Sequence, residues 1–200
     1  METVKDQKVC MKRTNFLASA LSMLVLPFFS MRAENRNMKY VRLINGFIVK
    51  AGEGRYHGHI TLKGVNVNIL DLKISGKDTE GALAVFEQIS LSQGHGTPLH
   101  IHSNQDEVFY VIEGSYYFQV GDEKFKLEAG DSIFLPRNIP HAWSQVSSKG
   151  KMTVIFQPAG KMEEFFIALQ NIDHVLSQHE LAQMFIDSDM RIVGPVLKIE

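Results

Sequence analysis

Cysteine is almost absent from this chain, and the single one, Cys10, lies before the start of any recognisable domain. Everything downstream is therefore without a disulfide framework, and thiolate nucleophiles and thiolate metal ligands are excluded. Charge of one sign is missing as well. Lys and Arg number 21 against 22 Asp and Glu, for a net charge of −1 over 200 residues, and no basic stripe interrupts the mixture. Nucleic acid is not an expected partner of such a surface. Long hydrophobic runs are also lacking. The uncharged stretch from Thr14 to Ser30 is too short and too interrupted by polar residues for a stable membrane span.

That stretch has another reading. Lys12 and Arg13 precede it, Phe16-Leu17-Ala18 and Leu21-Ser22-Met23-Leu24-Val25-Leu26 make up its apolar part, and Arg32-Ala33-Glu34-Asn35 restores polarity. Charged, apolar and polar regions in this order form an export signal, so residues 1–33 are expected to direct the protein out of the cytoplasm to the periplasm. An uncleaved anchor is the alternative, and without a signal the protein would stay cytoplasmic. Met11 is a possible start, because Met11-Lys12-Arg13 makes a more ordinary beginning for a signal than residues 1–10 do. Ala33 suits a cleavage site, although Met31 two positions earlier does not.

Residues 34–158 then read as one all-β domain. Short apolar or alternating runs occupy 46–50, 65–74, 82–91, 99–102, 107–112, 115–120, 123–127, 132–135, 142–146 and 152–156, separated by Gly, Asn and Asp. Val120-Gly121-Asp122-Glu123 and Glu113-Gly114-Ser115 carry hairpin signals. Strands this short and regular imply a closed sandwich or barrel. The tail, 159–200, changes period: Met162 to Leu169 reads as a helix, and Ser177-Gln178-His179-Glu180 is a capping box opening a second helix through about Phe185. Gly194-Pro195-Val196-Leu197 is extended. The helices are expected to cover a barrel end or a subunit contact.

The chemistry is concentrated in two blocks. In Gly94-His95-Gly96-Thr97-Pro98-Leu99-His100-Ile101-His102, residues two apart on a strand share a face, so His100 and His102 present two imidazoles to one point. A polar turn later, Glu107 opens a strand rich in β-branched and aromatic residues, and a sharp reversal there would return its carboxylate to the imidazoles. The second block, Gly130-Asp131-Ser132-Ile133-Phe134-Leu135-Pro136-Arg137-Asn138-Ile139-Pro140-His141, adds a third histidine, followed by Gln145. His57-Gly58-His59 repeats the His-x-His spacing with no carboxylate at matching distance and is set aside. If Glu107 points inward, so do Phe109 and Val111; if His141 does, so do Trp143 and Gln145, and Phe86 and Ile155 are further candidates.

Taken together, the two blocks resemble the cupin superfamily. Gly94, His100, His102, Glu107 and Gly114 fit its first motif, and Gly130, Pro136 and His141 fit its second. Asn138 stands where that motif has glycine, and Asn is the residue after Gly that best tolerates positive φ. Gln145 replaces an asparagine with another amide. The resemblance implies a jelly-roll barrel, the double-stranded β-helix, and a divalent metal on His100, His102, Glu107 and His141. Three neutral imidazoles and one carboxylate suit iron, manganese, nickel, cobalt or copper, with zinc also compatible. Such a set leaves coordination positions open, and Glu107 is either a plain ligand or the acceptor of a substrate proton.

The stretches around 46–54, 85–88, 105–114 and 130–136 further resemble small bacterial cupins related to quercetin 2,3-dioxygenase. This implies dioxygen-dependent cleavage of a flavonol-like or other enolisable polyhydroxylated molecule and a homodimeric assembly; strand alternation makes Phe109, Trp143 and Gln145 the candidates beside the substrate. A non-oxidative isomerase or lyase, and a binding protein without turnover, are the competing readings.

Overall fold

The computed structural model of the chain describes residues 45–199. The export segment 1–33, the alternative start Met11, Cys10 and the first residues of the expected barrel lie outside this range. The elements, in chain order, are β1 (His59–Thr61), β2 (Ile69–Ile74), β3 (Ala84–Ser90), β4 (Pro98–His102), β5 (Asp106–Glu113), β6 (Ser115–Val120), β7 (Glu123–Glu128), β8 (Ser132–Leu135), β9 (His141–Gln145), β10 (Gly150–Gln157), α1 (Met162–Gln170), α2 (Gln178–Asp187) and β11 (Met190–Val196). A short 3-10 turn, Gly76–Asp78, lies between β2 and β3.

Two antiparallel sheets face each other, the all-β jelly-roll arrangement expected. One has the order β1-β2-β3-β10-β5-β8, the other β11-β4-β9-β6-β7. Alternation decides which side chains meet between them. In β3, Ala84, Phe86, Gln88 and Ser90 point inward and the residues between them do not. In β10, Met152, Val154 and Phe156 are buried while Ile155 is only half-buried on the outer face. Ile155, expected inside, is thus on the wrong parity; pairing with Val85 and Val108 fixes it outward. In β9 all five residues are buried, because the C-terminal segment covers its outer face: the Ser144 hydroxyl donates to the Leu197 carbonyl.

Several boundaries differ from the sequence expectation for local reasons. Residues 46–50 form no strand; their apolar residues Phe47 and Ile48 are exposed. Instead, β1 arises around His59, paired to β2 through His59↔Asp71 and Ile60↔Leu70. Glu113-Gly114-Ser115 is not a hairpin, since β5 and β6 belong to different sheets. Gly114 sits at φ +83°, and a Cβ there would collide with the Ser147 hydroxyl and the Lys149 carbonyl, so only glycine lets the chain cross so closely. Val120-Gly121-Asp122-Glu123 does close a hairpin between β6 and β7.

The tail is more than a helical extension. α2 opens on the expected capping box, Ser177 with Glu180, but residues 190–196 then return as β11, antiparallel to β4 with Ile192 opposite His100. Among the described residues no helix is long and apolar enough to cross a membrane.

Candidate metal centre

β4, β5 and β9 each end at the same mouth of the sandwich. β4 projects His100 and His102 inward, β9 places His141 directly opposite His100 in the register, and the turn after His102 brings β5 in from the other sheet with Glu107 as its second residue. All four are buried, and their potential ligand atoms lie within 4.8 Å of one another. This group could hold a metal ion.

The hydrogen bonds around the rings favour that use. His100 Nδ1 is 2.8 Å from the Pro98 carbonyl and His141 Nδ1 is 3.0 Å from the Ile139 carbonyl. Carbonyl oxygens only accept, so both Nδ1 atoms carry hydrogen. His102 Nδ1 faces Gln105 Oε1 at 3.3 Å, and the Gln105 amide is itself fixed by donating to the Ala159 carbonyl at 2.9 Å. Each ring therefore aims Nε2 at the common point. His100 Nε2 and His102 Nε2 stand 3.2 Å apart, where two hydrogens cannot fit between them. His141 Nε2 is buried without a hydrogen-bond partner, although Glu107 Oε2 is 3.4 Å away. With Nδ1 bonded to Ile139, Nε2 is the atom left to join the other three residues. An orphaned nitrogen and two facing lone-pair positions fit a cation and are unfavourable without one.

Electrostatics follow from the same packing. Burial, reinforced by His141 and His102, pushes the His100 imidazole down to about 3. Burial also opposes charge on His102, but Glu107, 3.2 Å from its Nε2, outweighs it and holds its pKa above the ordinary value. Burial raises the Glu107 carboxyl, whereas His102 and His141 pull it well below the usual carboxylate range. A divalent ion held by the four residues would leave a site charge near +1, receptive to an anionic oxygen.

Beside the centre lies a narrow cavity of about 60 Å³, reached by His100 and Glu107 and lined by Phe109, Trp143, Val154, Phe156 and Gln88. Its outer wall comes from Met162, Phe165, Phe166 and Leu169 of α1 and Phe185 of α2. Phe185 packs edge-on against His100, with 5.5 Å between ring centroids. The cavity is small beside the roughly 300–1,000 Å³ of ordinary ligand pockets.

Of the expected pocket residues, Phe109 and Trp143 line this cavity. Gln145 does not: its Oε1 accepts from Ser92 N, and its Nε2 donates to the Ser90 and Ser147 carbonyls. It lies opposite Tyr116, two inward positions along β9 from His141, and ties strand ends together. Gln105, Gln88 and the phenylalanines of the tail were not apparent from sequence. Gln105 carries no pattern beyond its place three residues after His102, and the helices gave no sign of where their apolar faces dock. Asn138, as expected, takes φ +64°. His59, set aside in the sequence, has a separate role: its Nδ1 pairs at 2.6 Å with buried Asp71 on the neighbouring strand.

Residues 88–157, spanning β3 to β10 and all four ligands, match the cupin domain family. Over that stretch the chain is similar to cupin domains. It is 28% identical over 93 residues to quercetin 2,3-dioxygenase of Bacillus subtilis, a stretch covering 45% of this chain and 27% of that enzyme. An uncharacterized protein of Methanocaldococcus jannaschii is 38% identical over 48 residues, covering 24% of this chain and 38% of the relative. The chain thus spans well under half the length of these two curated relatives. Among solved structures, an RmlC-like cupin from Shewanella frigidimarina aligns with a TM-score of 0.49 and 19% identity over 60% of this chain and 96% of that one.

Proposed function

We propose that this cupin is a metal-dependent dioxygenase acting on a flavonol-like or other enolisable, polyhydroxylated molecule. The observation that carries the reading is one-sided access: of the four candidate ligands, His100 and Glu107 reach an aromatic cavity, while His102 and His141 do not line it. One flank of the centre faces a small apolar space. The similarity to quercetin 2,3-dioxygenase over the same strands supports the choice of substrate class.

The four residues would hold a divalent transition metal, which supplies Lewis acidity toward a substrate oxygen. Glu107, at the cavity wall, is placed to receive the hydroxyl proton, since its carboxylate is already hydrogen-bond acceptor to His102 and can change partner. Phe109 and Trp143 would orient an aromatic ring, and the phenylalanines of α1 and α2 would exclude water during the reaction. Export, resting on residues 1–33, and a homodimer, resting on the family resemblance, belong to the same proposal.

Oxygen uptake with a panel of flavonols is the test. Consumption by metal-loaded protein, abolished in His141→Ala, is expected; uptake no greater than in that variant sinks the reading. The small cavity favours one alternative, proton transfer on a compact substrate without oxygen, as in an isomerase or lyase. Turnover under nitrogen would select it.

A further inference from the structure

Building on the proposed function, we infer that Gln88 is the residue that recognises the end of the substrate remote from the metal, by accepting a hydrogen bond from a hydroxyl there. Three observations lead to it. The cavity is lined almost wholly by apolar side chains, with the candidate ligands His100 and Glu107 at one end and Gln88 among its few other polar residues. Register gives the separation. Glu107 is level with Phe156 and, through it, with Ala84; Val111 is level with Met152 and, through it, with Gln88. Gln88 therefore lies two inward-facing positions deeper, about 13 Å along the strands.

The amide is also held in a defined orientation. Gln88 Nε2 donates to Ser90 Oγ at 2.8 Å, and the Tyr116 hydroxyl donates to the same oxygen at 2.8 Å, all three residues being buried. One Nε2 hydrogen is committed to Ser90; Oε1 has no hydrogen-bond partner among the described residues, and the side chain lines the cavity. An acceptor kept in a fixed direction at the end of an apolar slot discriminates by chemistry. A ligand that brings a donor satisfies it; one that brings a C–H displaces water from it and leaves it unpaired. Of the other polar linings, Asn66 Oδ1 already accepts from the Asn68 amide and Thr97 Oγ1 from the Trp143 amide. The preferred substrate is thus oxygenated at both ends, one oxygen pair for the metal and one hydroxyl for Gln88.

Trp143, the chain's one tryptophan, lines the cavity and reports binding by its fluorescence. The experiment titrates the full-length, metal-loaded protein under nitrogen with two probes: 3-hydroxyflavone, oxygenated at the metal-binding end, and 3,4′-dihydroxyflavone, which adds one hydroxyl at the far end. Wild type is expected to prefer the second by about 5- to 10-fold, the worth of one net hydrogen bond. Gln88→Met, which keeps the straight chain and its volume, should bring the two Kd values within about twofold while leaving that of 3-hydroxyflavone in place. Gln88→Leu serves as the second variant if the first does not fold. A wild-type protein without preference, a preference that survives substitution, or equal weakening toward both probes would overturn the inference while leaving the functional reading intact. Failure of metal-loaded wild type to bind either probe would overturn the functional reading, and this inference with it.

Discussion

His100 Nε2 and His102 Nε2 stand 3.2 Å apart, each on a ring whose Nδ1 points at an oxygen acceptor. Two neutral rings in this pose bring lone pairs together, and relief comes from a cation between them. Full-length protein purified without added metal should accordingly carry close to one equivalent of a divalent transition metal by elemental analysis, and a His100→Ala, His102→Ala double variant should carry none. No metal in wild type after reconstitution would refute this.

Metal binding should release protons. Glu107 raises the His102 pKa in the metal-free centre, so an incoming ion competes with a proton there more than it would at a free imidazole. Calorimetric titrations in buffers of different ionisation enthalpy should yield proton release per metal bound, and affinity should fall as pH is lowered. Affinity that does not change between pH 8 and 6 would contradict the assignment.

Gln105 links the centre to the tail by accepting from His102 and donating to the Ala159 carbonyl just before α1. Removing an outer partner of a liganding imidazole weakens metal binding by about 10- to 100-fold. Gln105→Leu should show that loss in competitive chelation while its circular dichroism stays native.

Tyr116 offers a readout of the sealed end of the sandwich. Burial, only partly offset by the hydrogen bond to Ser90, pushes its phenol up to about 12. A group raised on folding contributes stability that is complete below its unfolded pKa, here near 10, and is lost as pH climbs toward the folded value. Ultraviolet titration should therefore resolve one late phenol, and stability to denaturant should decline between about pH 10 and 12 more in wild type than in Tyr116→Phe.

Phe166 of α1 packs edge-on against Phe86, 5.1 Å between centroids, and walls the cavity. Phe166→Ala should lower stability by about 3–5 kcal/mol, measured by urea unfolding, because a large buried ring is removed. The same change should increase the rate at which flavonol probes quench Trp143, since it enlarges the space a ligand must enter. Slower or weaker quenching in a folded variant would show that the ring contacts the ligand and does not obstruct it.

Much of this was legible in the sequence because two periodicities are local. The two-residue alternation that set His100 with His102, and Phe109 with Glu107, is a property of single strands, and it placed those side chains where the structure has them. Where a residue's role depends on what lies across from it, the sequence was insufficient. Gln145 shares the parity of His141 yet lies at the closed end, occupied by three backbone groups. Ile155 was misassigned because nothing local distinguishes it from Val154 or Phe156; the pairing partners decide. The phenylalanines of α1 and α2 were visible as apolar faces, but their destination, the cavity beside His100, depends on tertiary docking alone.

The docking of β11 on β4 sets an order of events for biosynthesis. Until residues 190–196 emerge, β4, which bears two of the four candidate ligands, is an exposed sheet edge whose backbone groups lack partners on one side. An incomplete chain would present that edge, with His100 and His102 on it, until residues 103–196 have been made. Once β11 docks, that edge is capped, and pairing with neighbouring chains along it is no longer open to β4.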